Sequence, residues 1–90
     1  MKYEIDVTDE DIRCGSRHRS SLCPIALAAQ RVVSPMANAF CQALCWWTGQ
    51  DYLEGRYRIV NLPPEASQFV RDFDHGVPVK PFKFSIEVED

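Results

Sequence analysis

Both ends of the chain alternate between apolar and polar residues. The apolar positions are Tyr3, Ile5 and Val7 at one end and Phe82, Phe84, Ile86 and Val88 at the other. A period of two predicts a β-strand with one buried face. Because the two segments share this pattern, we predict that strands over 2–7 and 82–88 are neighbours in one sheet.

Three segments have the features of helices. Thr8 is followed by an acidic first turn, and Gly15 ends this short first helix. Pro24 suits the first position of a main helix, whose apolar stripe consists of Ile25, Ala28, Ala29 and Val32. The third helix begins near Pro64 and stops at Gly76, and its apolar stripe consists of Ala66, Phe69, Val70 and Phe73.

Residues 34–48 fit two patterns. Ser34 and Pro35 could begin a second amphipathic helix, but the alternating small side chains between 37 and 45 also fit a strand. We predict a strand over about 40–48, followed by turns at 49–51 and 54–55. A further strand over 56–62 carries Tyr57 and Ile59 on one face.

These elements predict a single α+β domain over residues 1–90. We expect a small, mostly antiparallel sheet of about four strands, with two main helices on one face. The predicted core consists of Ile5, Val7, Ile25, Ala28, Val32, Ile59, Phe69, Val70, Phe73, Phe84 and Ile86.

Composition and charge narrow the classes of function. The 90 residues carry 10 Lys and Arg against 13 Asp and Glu, and the resulting net charge of −3 argues against a general nucleic-acid binder. We expect no direct reading of DNA, because a basic recognition helix is missing. No apolar run approaches the about 20 residues that span a bilayer. Glu4 and Asp6 stand where a signal peptide would be apolar, so we expect a cytosolic protein without a membrane partner.

The cysteines raise the question of disulfides or zinc; they are Cys14, Cys23, Cys41 and Cys45. A cytosolic location disfavours disulfides. With His18 the cysteines would supply enough zinc ligands, but the closely spaced cysteine pairs of structural zinc sites are missing. We therefore expect no metal or cofactor, with Cys23, Cys41 and Cys45 as small buried side chains and Cys14 exposed.

The loop before the main helix is rich in cations and hydroxyl groups. Its candidate ligand-binding residues are Arg13, Ser16, Arg17, His18, Arg19, Ser20 and Ser21. Guanidinium and hydroxyl groups beside the free amides of a helix N-terminus are donors that suit phosphate or carboxylate. The alternative is a solvated loop whose arginines pair with Asp9, Glu10 and Asp11.

Trp46 and Trp47 form the second candidate ligand-binding site. Adjacent residues of a strand point to opposite faces, so we expect one tryptophan in the core and the other uncovered. An uncovered tryptophan is typical of a protein interface or a base-stacking surface. Together with unblocked sheet edges, it predicts a homo-oligomer. The acids and histidine at 72–75 fall at a helix end, where we assign them no acid–base role.

Four segments carry a family resemblance, and they span 7–12, 23–28, 62–65 and 69–82. The last of them, from Phe69 through His75 and Gly76 to Phe82, is the most specific. In these segments the chain resembles a group of small uncharacterised proteins of tailed bacteriophages. The resemblance implies a viral protein made in a bacterial host, and it brings no catalytic or binding residues with it.

No recognised catalytic arrangement is present in the sequence, so we predict a binding protein and not an enzyme. Because phages gain from sequestering host immune messengers, the first hypothesis is a phage accessory protein that inhibits host defence. It would bind a small anionic, nucleotide-derived ligand. The alternative is a protein-binding inhibitor or adaptor that acts on a host complex through an exposed aromatic face. Either would act in the cytoplasm of the infected bacterial host.

Overall fold

The protein folds into helices and antiparallel strands, and the computed structural model describes residues 2–47, 53 and 57–88. In chain order the elements are β1 (Lys2–Val7), α1 (Asp9–Cys14), α2 (Pro24–Val32), β2 (Asn38–Ala39), β3 (Ala43–Trp46), β4 (Arg58–Asn61), α3 (Pro64–Asp74) and β5 (Phe82–Glu87). The α+β class is confirmed. The described strands form two antiparallel sheets, β1–β5 and β2–β3–β4, whereas we predicted one sheet.

The first and last strands are neighbours, as their shared pattern predicts. They pair antiparallel, from Lys2 opposite Glu87 to Val7 opposite Phe82. The inward side chains of this pair are almost fully buried, and they are Ile5, Val7, Phe84 and Ile86. The outward positions are polar, which leaves that face of the pair to solvent.

The predicted boundaries of the first helix are confirmed. Thr8 Oγ1 accepts the Asp11 N–H at 3.2 Å, and Asp11 Oδ2 accepts the Thr8 N–H at 2.9 Å, which completes a capping box. Gly15 ends α1 where the chain passes close to α2. A Cβ atom on Gly15 would lie 2.8 Å from Cδ and Cγ of Pro24, so this approach requires glycine.

An ion pair between a buried carboxylate and a half-exposed guanidinium joins the first two helices to β1. Asp11 is 3% exposed and accepts hydrogen bonds from Arg31, with Nη1–Oδ1 at 2.5 Å and Nη2–Oδ2 at 2.7 Å. Arg31 Nη2 also donates to the carbonyl of Asp6 at 3.1 Å. One guanidinium group therefore holds three elements together.

The two longer helices cover the inner face of the β1–β5 pair, as predicted. Pro24 and Pro64 occupy first-turn positions of α2 and α3. Helix α2 packs against β1 through buried small side chains, among them Ala28 and Ala29. Helix α3 reaches the same face through Phe69, whose ring centroid lies 5.0 Å from that of Phe82.

The middle of the chain differs from the prediction in extent. A hairpin begins at Asn38, and its second strand is Ala43–Trp46, which is shorter than the strand predicted over 40–48 because residues 40–42 form the turn and residue 47 follows the strand. The Phe40 N–H donates to the carbonyl of Ala43 at 2.8 Å, which closes the turn. The turns predicted at 49–51 and 54–55 lie outside the described residues.

The prediction of the core is wrong for two residues, which are exposed. Val32 is 48% exposed at the end of α2, and Val33 packs against the core in its place. Ile59 is 60% exposed because Val60 is the side chain of β4 that packs inward, in register with Leu44. Phe73 is partly buried against the core, and the remaining predicted core residues are buried.

Candidate anion-binding cleft

The loop between α1 and α2 is tied to the body of the protein through its backbone. The Ser16 N–H donates to the Leu22 carbonyl at 2.8 Å. The Ser20 carbonyl accepts the N–H of Ala39 in β2 at 2.9 Å, and the Ser21 carbonyl accepts Gln30 Nε2 at 2.9 Å. These bonds fix the positions from which the loop side chains project.

His18 anchors the tip of this loop to α3. Its φ is +62°, a left-handed conformation that few residues other than glycine adopt. Its backbone N–H donates to Oδ1 of Asp74, the last residue of α3, at 3.0 Å. A charge-assisted hydrogen bond of this kind offsets the cost of the backbone conformation.

A cleft of about 310 Å³ lies where the loop, the β2–β3 turn and α3 meet. Its lining residues are His18, Arg19, Ser20, Cys23, Ala39, Phe40, Cys41, Val70 and Asp74. Arg19 is exposed and Phe40 is 50% exposed, so a guanidinium and an aromatic ring are both accessible to a ligand. A cation beside an apolar ring is a combination that suits an anion carrying a planar group.

The loop arginines are not neutralised by the acids of α1. Across the described ranges 2–47 and 57–88, Arg13, Arg17 and Arg19 form no ion pair. The buried acid of α1, Asp11, pairs with Arg31 instead. The described residues therefore do not show the alternative arrangement, in which the loop arginines pair with Asp9, Glu10 and Asp11.

Three of the nine predicted ligand-binding residues line the cleft, and they are His18, Arg19 and Ser20. The other loop candidates do not line it. Arg13 lies in the last turn of α1, and the guanidinium of Arg17 lies over Gly76, where a Cβ atom would be 3.3 Å from Nη2. Ser16 and Ser21 contribute the backbone bonds described above. Ser20 Oγ donates to Asn38 Oδ1 at 3.1 Å, which leaves Arg19 as the chief anion donor.

Neither tryptophan lines the cleft. Trp46 is 4% exposed in the core, which confirms that one of the pair enters it. Trp47 is partly buried, and its carbonyl accepts the Ser34 hydroxyl at 3.3 Å. The prediction of an uncovered tryptophan is therefore wrong, and Phe40 supplies the accessible ring.

Cys23 is the N-cap residue of α2, the helix end at which we expected free backbone amides to bind an anion. Burial raises the pKa of its thiol, while the backbone amides of Ile25 and Ala26 act on the sulfur in the opposite direction. Those amides thus face a neutral thiol at the base of the cleft. An anion would be held by the side chains at the rim, chiefly Arg19.

The burial of the cysteines was predicted correctly except at one of them. Cys23 and Cys45 are buried and Cys14 is exposed, as expected, but Cys41 is exposed at the cleft. Within the described part of the chain, no group of three or more His, Cys, Asp or Glu side chains is placed to hold a metal ion.

Comparison with known protein families, curated proteins and solved structures finds no match for this chain. The candidate site is therefore argued from its own geometry. None of the helices among the described residues has the length and apolar character needed to cross a membrane.

Proposed function

We propose that this protein is a non-enzymatic binder of a small anionic, nucleotide-derived ligand, and that the cleft between the loop and α3 is its binding site. The observation that carries the proposal is the presence of Arg19 and Phe40 on one cleft. Arg19 offers a planar fork of N–H donors that matches the oxygens of a phosphate. Phe40 offers an exposed ring on which a base can stack.

The size of the cleft supports a small ligand. Its volume of about 310 Å³ is at the lower end of the range for small-molecule sites, which is roughly 300–1,000 Å³. A mononucleotide, or one nucleotide unit of a larger messenger, suits such a space. The hydrogen bonds that anchor the loop at Ser20 and His18 keep the site formed before the ligand arrives.

The resemblance to phage proteins supplies the biological setting of the proposal. A viral protein in the cytoplasm of an infected bacterium would inhibit host defence by binding a nucleotide messenger and lowering its free concentration. Such sequestration requires affinity and abundance, and it requires no chemical step. The proposed contacts of Arg19 and Phe40 would supply the affinity.

Arg19→Ala and Phe40→Ala are expected to weaken the binding of nucleoside monophosphates. Loss of the charged donor removes the strongest type of hydrogen bond in the site, and we expect affinity to fall about tenfold or more. Loss of the stacking ring is expected to cost about 1–3 kcal/mol of binding free energy. Isothermal titration calorimetry of the purified variants measures both effects.

Arg13→Ala is the matched control, because it removes the same charge from an exposed position outside the cleft. It should bind like the wild-type chain. Equal losses of nucleotide affinity in Arg13→Ala and Arg19→Ala would show that the effect comes from the overall charge of the protein and not from a contact in the cleft. Unchanged affinity in both cleft variants would contradict the proposed site.

A second candidate function, protein binding, is favoured by the outer face of β4. Ile59 in β4 is 60% exposed, and Tyr57, which directly precedes the strand, is 63% exposed. Large apolar side chains left in water at neighbouring positions are typical of an interface. The partner we propose for this face is a second copy of the chain, with a host complex as the alternative.

Ile59→Lys tests this second candidate. Light scattering at micromolar concentration should give twice the 10.3 kDa mass of the chain for the wild type and a single mass for the variant. The substitution places a charge on an exposed position, so the fold should tolerate it. A wild-type protein that scatters as a single chain would contradict self-association.

A further inference from the structure

We propose that the cleft selects guanine among the nucleobases and that Asp74 is the residue that recognises it. This inference rests on the proposed function, since it names the base of the ligand in the same cleft. The observation behind it is that a carboxylate lines a site that also carries an exposed guanidinium, an exposed aromatic ring and the exposed side chains of His18 and Cys41. A carboxylate is a poor neighbour for an anion, so its presence calls for a ligand group that donates hydrogen bonds.

Asp74 is held in an orientation that leaves acceptor capacity for a ligand. Its Oδ1 atom accepts the His18 N–H at 3.0 Å, which fixes the carboxylate in the wall of the cleft. Within the described residues, Oδ2 accepts no hydrogen bond. A carboxylate has about four acceptor positions, so most of its capacity remains unused. The group is partly buried, which strengthens any bond that a ligand makes to it.

Guanine is the nucleobase whose donors match this acceptor. Its N1–H and its exocyclic 2-amino group are adjacent donors on one edge, and they can bond to the two oxygens of a carboxylate side by side. Adenine and cytosine present a ring-nitrogen acceptor beside their amino group, and uracil flanks its single N–H with two carbonyls. Each of these would place a lone pair against Asp74 and leave a polar group unpaired.

The two groups that carry the proposed nucleotide binding, Arg19 and Phe40, cannot supply this selectivity. Phe40 can stack on any base, and Arg19 can bind the phosphate of any nucleotide. Discrimination between bases must come from a group that recognises the hydrogen-bonding edge. Among the lining residues, Asp74 is the acid, and its two oxygens are the pair of adjacent acceptors that the two donors of guanine need. It lies at a helix end that accepts a hydrogen bond from the loop at His18.

The test is a calorimetric titration of the wild-type chain with guanosine, inosine and adenosine 5′-monophosphates. Guanosine monophosphate should bind about tenfold more tightly than adenosine monophosphate or better, the discrimination typical of one bidentate base contact. Inosine monophosphate keeps N1–H but lacks the 2-amino group, so its affinity should fall between the two.

Asp74→Asn isolates the carboxylate. The amide retains an oxygen for the His18 N–H and turns the other acceptor into a donor, so the preference for guanosine monophosphate should disappear. Asp72→Asn is the matched control on the same helix. Asp72 lies outside this cleft, where it accepts Gln68 Nε2 at 2.8 Å, and its variant should keep the preference.

The outcomes separate this inference from the proposed function. Equal affinities for the guanine and adenine nucleotides would overturn guanine selectivity while leaving nucleotide binding intact. The absence of binding by all three nucleotides would overturn both. An Asp74→Asn variant that folds and still prefers guanosine monophosphate by the wild-type ratio would overturn the role of Asp74.

Discussion

Phe69→Ala is expected to lower the free energy of unfolding by about 3–5 kcal/mol, the usual cost of truncating a buried phenylalanine. Phe69 is 6% exposed and lies between two other rings. Its centroid is 6.3 Å from that of Phe73 on α3 and 5.0 Å from that of Phe82 on β5. Truncation would leave a cavity where α3 meets the β1–β5 pair. Urea unfolding followed by circular dichroism measures the loss.

Phe40→Ala is the control for this substitution, because it removes the same ring from a half-exposed position. We expect it to change the free energy of unfolding much less than Phe69→Ala. A Phe69→Ala variant whose free energy of unfolding lies within about 1 kcal/mol of the wild-type value would show that this ring contributes little to the core. That result would contradict the packing described for α3.

Arg31→Ala is expected to lower the free energy of unfolding by about 2–3 kcal/mol, since it leaves the buried carboxylate of Asp11 without its cation. Asp11 is 3% exposed, whereas the Arg31 side chain is half exposed, so the loss is smaller than for a fully buried pair. Lys83→Ala is the control. Lys83 Nζ lies 4.0 Å from Glu4 Oε1 on the surface, a pair that contributes little.

The effect of Arg31→Ala should depend on pH. Burial acts to raise the pKa of Asp11, but hydrogen bonds from Arg31 and Thr8 outweigh it and hold that pKa below its ordinary value. A lowered pKa contributes stability that is present above the unfolded pKa of about 3.9 and is lost as pH falls through the folded pKa. The difference between wild type and variant should therefore shrink between pH 7 and pH 3. A difference that is constant over this range would contradict the account.

Features set by neighbouring residues could be predicted from the sequence. Thr8 and Gly15 bound α1 because a capping box and a close helix end depend on residues within a few positions of each other. Gly76 follows α3 with a φ of +77°, a conformation that glycine adopts without strain. The terminal strands were equally predictable, since one of their faces is solvated and the alternation is complete.

The central hairpin could not be derived from periodicity. In β3 the consecutive residues Leu44, Cys45 and Trp46 are all buried, so the alternation on which strand prediction relies is lost. In β4 both Ile59 and Val60 are β-branched and apolar. The phase of β4 is decided by its register with the preceding strand, in which Leu44 lies opposite Val60, and the sequence of β4 alone does not contain this information.

Only the part of the candidate cleft that comes from one continuous loop could be predicted from the sequence. The cationic loop led to His18, Arg19 and Ser20 by composition alone. Asp74 is 56 positions away from His18, and its place at a helix end gave no sign that it would accept a backbone N–H from the loop. Phe40 lay in the segment whose secondary structure was ambiguous, so its exposure in a turn between two strands could not be foreseen.

The measurement that tests the central claim most directly is two-dimensional ¹H–¹⁵N NMR of the wild-type chain during titration with guanosine 5′-monophosphate. We predict saturable shifts that cluster at the amides of the cleft, which are those of His18, Arg19, Ser20, Ala39, Cys41, Val70 and Asp74. Amides of the β1–β5 pair should stay in place and serve as an internal reference. A spectrum unchanged at millimolar nucleotide, or shifts confined to β4, would contradict the assignment of this cleft as a nucleotide-binding site.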